Sequence, residues 1–170
     1  MEKSIQVPER RTNKLQIFIG VAGLILGSLI YIIDRPPDQT YFIYTSNINI
    51  SLHNILPNIF GFIGDTLPAF THVFSSTLIT AGLIFCKKRD YPIICLAWFL
   101  IDCAFELGQK FHTFPIKIIP HWFSEIPFLE NTENYFIHGT FDFADLAAIS
   151  FGSITAYLVL FATNKRRVPA

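Results

Sequence analysis

Four stretches of this chain are long, apolar and almost free of charge, and nothing else in its 170 residues limits the fold so strongly. Leu15–Ile33 carries no charge, and Thr66–Phe85 has His72 as its ionisable group. Residues 92–110 hold Asp102 and Glu106, and residues 143–163 hold Asp145. Each matches the roughly 17–25 residues that cross a hydrocarbon core at about 1.5 Å per residue. The pattern predicts an all-α, four-helix transmembrane bundle. Charged residues make up 15% of the chain, against about 25% in ordinary soluble domains. Thirteen basic and thirteen acidic residues leave no basic stripe of the kind a nucleic acid requires.

Basic residues set the expected orientation. Lys3, Arg10, Arg11 and Lys14 precede the first span, Lys87, Lys88 and Arg89 separate the second from the third, and Lys165, Arg166 and Arg167 follow the fourth. The other two connections hold Arg35, Lys110 and Lys117. All three clusters fall on one side of an even-numbered bundle, so both termini are expected in the cytoplasm. The chain then divides into a basic N-terminus at 1–14, a membrane domain at 15–163 and a basic tail at 164–170. The first span is too long for a signal-peptide core, and Asp34-Arg35-Pro36-Pro37 is no small-residue cleavage site, so it is read as retained. Cys86, Cys95 and Cys103 form neither a disulfide framework nor a CxxC metal signal.

The two outer connections, at 35–64 and 111–139, exceed what joins helices in a bundle. Leu52, Ile55, Leu56, Ile59, Phe60 and Ile63 recur at helical spacing. They predict a short helix over Ser51–Ile63, capped by Ser51, bent at Pro57 and lying on the outer interface. Pro115, Pro120 and Pro127 among aromatic residues forbid one long helix in the second connection. That segment is either a lid over the bundle mouth or an apolar loop. Asn49-Ile50-Ser51 is a sequon to which no weight attaches.

Chemistry concentrates in the third span. Asp102, Glu106 and Gln109 are spaced four and three apart and share one helix face. A charged carboxylate facing lipid costs a few kcal/mol or more, roughly 2.5–3.5 on insertion scales, so both acids are expected to point inward. Helical rise puts Asp102 about 16 Å and Glu106 about 22 Å above the cytoplasmic entry. His72 falls about 10 Å below Asp65, close to the Glu106 level. Asp65, His72 and Ser76 share a face of the second span, while Asp145 stands above Gly152 and Ala156 on the fourth. Ser28 reaches similar depth on the first span, whose Gly20, Gly23 and Gly27 read as ordinary close packing. The expected result is one polar layer built from Asp65, His72, Asp102, Glu106, Gln109, Asp142 and Asp145. Simpler roles exist for some members: Asp142 and Asp145 suit a helix cap, and His72 with Ser75 and Ser76 suits interhelical hydrogen bonding.

Glu106-Leu107-Gly108-Gln109-Lys110-Phe111, followed by Phe143-Ala144-Asp145-Leu146 and Gly152, resembles the VanZ-like family of small integral membrane proteins. Asp65, His72 and Phe74 at the entry to the second span fit the same pattern. The resemblance covers Asp65 to Val159. Where the family has an arginine before the last acid, this chain has His138-Gly139-Thr140-Phe141, and Ile149 replaces an asparagine one turn on. The resemblance implies four spans in the inner membrane of a bacterium and a role at the cell envelope, where members affect glycopeptide susceptibility.

Three functions compete. The first is an outer-leaflet pocket in which Glu106, Gln109, His72 and Asp145 hold the head of a lipid-linked or amphiphilic molecule. The second is a membrane-embedded metal hydrolase using His72, Glu106 and Asp145 against a lipid ester, amide or phosphate. The third is a structural or partner subunit, homo-oligomeric or paired with another membrane protein. Proton-coupled transport fits poorly with four spans lacking a repeat. The sequence identifies no cofactor, and no Ser-His-Asp, phosphate-loop, haem or nicotinamide motif occurs.

Overall fold

The computed structural model describes residues 12–36, 51–53, 55–56, 59–84, 86–126 and 129–164, and these are helical with no strand among them. The basic clusters at 3–11 and 165–167 and the sequon positions Asn49 and Ile50 lie outside the described residues. Four long helices form the bundle: α1 (Lys14–Asp34), α2 (Gly61–Leu83), α3 (Tyr91–Lys110) and α6 (Phe143–Ala162). Between α3 and α6 stand the short α4 (Thr113–Ile118) and α5 (Thr132–His138) with two 3-10 turns, His121–Glu125 and Leu129–Asn131. Pro120 opens the first of those turns, as its fixed φ and missing N–H dictate.

Three helices are long and apolar enough to cross a membrane: α1, the stretch Lys88–Lys110 that contains α3, and α6. This makes the chain a multi-pass membrane protein. Their exposed faces are large and apolar, including Phe18, Ile25, Ile93, Leu100, Phe151 and Leu158. Such a surface needs lipid or a partner to cover it. α2 is as long as they are but carries Thr66, Thr71, Ser75, Ser76, Thr77 and Thr80. It packs against α1, α3 and α6, so its Val73, Ser75, Thr77 and Leu78 are wholly enclosed.

α1 and α2 run antiparallel and very close. Gly20, Gly23 and Gly27 lie against Ile79, Ser75 and Thr71, and a Cβ at any of the three would collide with that face. The packing role expected of this glycine row is what the bundle uses it for. The pair is tied at both ends. Asn13 N–H donates to the Gly82 carbonyl at 3.0 Å, and the Asp34 carboxylate accepts from the N–H groups of Ile59 and Phe60, each at 2.9 Å. Asp34 thereby supplies acceptors just before α2 begins, where a helix start leaves donors without partners. Gly152 performs the same service between α6 and α2, against the Phe70 carbonyl and Val73.

Two expectations need correction. The second long helix starts at Gly61 rather than near residue 66 and ends at Leu83. Before it, no interfacial helix forms among the described residues of 51–60: a single turn carries Leu56 N–H to the Leu52 carbonyl. Ser51 Oγ accepts from His53 N–H at 3.3 Å, so Ser51 caps this single turn as expected, but among the described residues the turn is not continued as a helix. In the second connection, Phe136 of α5 stacks on Phe105 with centroids 5.6 Å apart and fills the space beside Gly108. α5 therefore covers the end of α3. A cavity of about 250 Å³ lies beyond it, among Ile116, His121, Phe123, Leu129, Glu130 and Glu133, away from the acids of α3.

Candidate functional site

The acids of α3 face inward as the cost of exposing them requires: Asp102 is 7% and Glu106 6% exposed. They do not share one layer: Asp102 pairs with His72, and Glu106 stands apart from both. The single expected layer separates into two tiers, one helical turn apart.

In the deeper tier, His72 Nδ1 lies 3.0 and 3.1 Å from the two Asp102 carboxylate oxygens. The Trp98 ring meets the imidazole edge-on at 6.0 Å, and Trp98 Nε1–H is held by Thr80 Oγ1 at 2.9 Å. The Asp102 side chain is 8% exposed, whereas that of His72 is 56% exposed. The early start of α2 explains the altered pairing. Moving the helix start back one turn sinks His72 by about 6 Å relative to the acids of α3.

The second tier gathers around Glu106. Its Oε1 accepts the Asp142 N–H at 2.9 Å, a charge-assisted bond that joins α3 to the start of α6. Asp142 itself caps α6, its Oδ1 accepting from Ala144 N–H at 2.9 Å. The capping role is thus real for Asp142. It does not extend to Asp145, whose Oδ1 is buried with no hydrogen-bond partner among the described residues. Asp65 is exposed; its backbone carbonyl accepts from Arg35 Nη2 at 3.1 Å. Gln109 interacts with Tyr135 and packs against Gly139, where any Cβ would meet its amide.

Three members of this tier lie outside the expected set. Arg35, just beyond α1, is close enough for its charge to act on both Glu106 and Asp145. Its guanidinium carbon lies 4.6 Å from the Tyr31 ring centroid, and its Nε is buried without a partner among the described residues. Tyr31 sits one turn earlier on α1, within electrostatic reach of Glu106 and Asp145. Tyr135 closes the tier from α5; burial first, then Tyr31 and Glu106 beside it, push its phenol well above the ordinary range. A signal for the first two exists in Tyr31-Ile32-Ile33-Asp34-Arg35, which places an aromatic and a cation four apart at a helix end. Ser28, expected to represent α1, is exposed on the far side.

The division into tiers decides the chemistry. A guanidinium, the buried Glu106 carboxylate, the half-buried Asp145 carboxylate, an amide and two phenols can grip a polar group that both donates and accepts. The set His72, Glu106 and Asp145, which a metal hydrolase would need, is not brought together: His72 binds Asp102 in the other tier. Among the described residues, no three His, Cys, Asp or Glu side chains converge as metal ligands do. Compared with known proteins, the chain matches no family model, no curated protein and no solved structure.

Proposed function

We propose that the chain is a four-span, VanZ-like envelope protein of a bacterial inner membrane, with both termini cytoplasmic and α2 as the fourth span. In this reading the Glu106 tier lies in the outer leaflet and holds the polar head of a lipid-linked or amphiphilic molecule. The observation that carries it is a carboxylate 6% exposed in mid-helix, beside Arg35 and Asp145 atoms left without partners among the described residues. Burying polar groups unsatisfied costs roughly 1–3 kcal/mol each, an arrangement a bound head group or ordered water would relieve.

A photocrosslinkable amphiphile incubated with the protein in vesicles tests the reading. Covalent labelling is expected near Glu106 and Tyr135, and Glu106→Ala should lower it by about ten-fold or more. Labelling spread evenly over the bundle surface, or unchanged in Glu106→Ala, would defeat the reading. A structural role is the second candidate, favoured by one observation: the bond from Asp142 N–H makes Glu106 a fastener between α3 and α6. Glu106→Gln keeps an acceptor there. Full stability and full function in that variant would favour the fastener.

A further inference from the structure

A head group bound at the Glu106 tier has to reach a carboxylate that is only 6% exposed, so some part of its cover must give way. α5 is part of that cover. Its buried Phe136 ring stacks on Phe105 at 5.6 Å and occupies the space that Gly108 leaves open. Tyr135 meets the same Phe105 ring at 6.1 Å and closes the tier beside Tyr31 and Glu106. These ring contacts hold α5 on α3 by shape and dispersion. The long helices are fastened differently: the Asp34 carboxylate grips the approach to α2, and Glu106 grips the start of α6.

Two features let α5 shift as a unit. The Leu129–Asn131 turn precedes it, and a non-helical link at residues 139–142 joins it to α6. Element ends of that kind absorb the backbone rotation of a hinge. There is also somewhere to go. At about 100° per residue, Glu133 and Tyr135 stand on nearly opposite sides of α5. Tyr135 faces the tier, while Glu133 lines the cavity of about 250 Å³ together with Ile116, Phe123 and Leu129. The helix stands between a closed polar site and open space.

We infer that α5 is the gate of the Glu106 tier, swinging toward the cavity so that Tyr135 and Phe136 leave α3 and a head group enters. The gate rests on the reading of that tier as a ligand site. A disulfide across the contact tests it: Gly108→Cys with Phe136→Cys, in a chain that also carries Cys86→Ala, Cys95→Ala and Cys103→Ala. The photocrosslinkable amphiphile is mixed with vesicles and flashed after increasing delays, so that labelling gives the rate of entry. The oxidised chain is expected to lose labelling near Glu106, and dithiothreitol to restore it. Two single changes work without the lock. Phe136→Ala removes the stack and should speed entry by about two- to ten-fold, the range an aromatic pair is worth. Leu129→Trp fills the cavity and should slow entry. Equal rates in the oxidised and reduced chains would overturn the gate and leave the ligand site standing. Entry indifferent to both Phe136→Ala and Leu129→Trp would do the same, even where the lock blocks labelling. Labelling of the wild-type chain that survives Glu106→Ala would overturn the site and the gate together.

Discussion

The two ends of the bundle solve the problem of buried polarity in opposite ways. At the end where α1 starts and α6 stops, Gln16 is 1% exposed. Its amide donates to Thr163 Oγ1 at 3.0 Å and approaches the Leu160 carbonyl at 3.5 Å. Asn13 Nδ2–H reaches the Thr163 carbonyl at 3.3 Å, and Thr163 Oγ1–H donates onward to Val159 O at 2.7 Å. These three side chains, Gln16, Asn13 and Thr163, are neutral and partnered, beside a tight core of Leu78, Ile94, Cys95 and Leu160. At the Glu106 end the groups are charged, and buried atoms of Arg35 and Asp145 have no partner among the described residues. Neutral, satisfied contacts fasten helices at modest cost. Charged, incompletely satisfied ones are costly and are kept where they have a task.

Substituting one anchor at each end should break that comparison if it is false. The largest effect is expected from Glu106→Ala, which removes the charge-assisted acceptor of Asp142 N–H and leaves Arg35 facing fewer carboxylates. Thermal unfolding in detergent should report a loss of about 2 kcal/mol, and amphiphile labelling should fall by about ten-fold or more. Gln16→Leu comes next. Two interhelical bonds averaging roughly 0.6 kcal/mol disappear, so stability should drop by about 1 kcal/mol with labelling unchanged. Equal labelling loss in both variants would show that the ends do not differ in kind.

A smaller effect sharpens the picture inside the charged end. Asp142 contributes its main-chain N–H to Glu106 and its side chain to the α6 cap. Asn caps as well as Asp, so Asp142→Asn should change stability by a few tenths of a kcal/mol. Labelling should also persist. Loss of labelling in Asp142→Asn would instead place its charge in the grip on the ligand.

The contrast between the ends also marks what is legible in the sequence. The bounds of α1, α3 and α6 lie close to those of long apolar stretches, uninterrupted in α1 and nearly free of charge in the other two, because a backbone in lipid must satisfy its own hydrogen bonds. Burial of Asp102 and Glu106 is readable for the same reason: a mid-helix acid has no cap to serve. Spacing alone puts His72 one turn too shallow. The start of α2 depends on Asp34 reaching across from α1 to the N–H groups of Ile59 and Phe60, a tertiary contact with no local trace. Arg35 escapes notice because it reads as a loop residue. Its partners Glu106 and Asp145 lie on helices that only the folded bundle brings near. Over Ser51–Ile63 the helical spacing yields one turn capped by Ser51, which among the described residues is not continued into α2.

Which end faces the cytoplasm can be settled at Cys86, between α2 and the Lys88–Asp90 turn, with no change in stability. Its thiol is half-buried, and Sγ–H donates to the Ala81 carbonyl at 3.2 Å. Burial raises its pKa above the ordinary thiol range. The sign of the consequence is fixed: a raised pKa means less thiolate at neutral pH, and thiolate is the species that alkylates. A membrane-impermeant maleimide should therefore modify Cys86 slowly near neutrality and faster as the pH rises, with the rate curve displaced upward from that of a free thiol. Under the proposed orientation, in which Lys87, Lys88 and Arg89 mark the cytoplasmic side, the reaction should occur in inside-out vesicles and not in right-side-out ones. Cys95, buried in α3, should stay unmodified from either side and serves as the internal reference. Modification of Cys86 in right-side-out vesicles would invert the bundle. The Glu106 tier would then face the cytoplasmic leaflet, and an envelope ligand would have to be sought on the other side of the membrane.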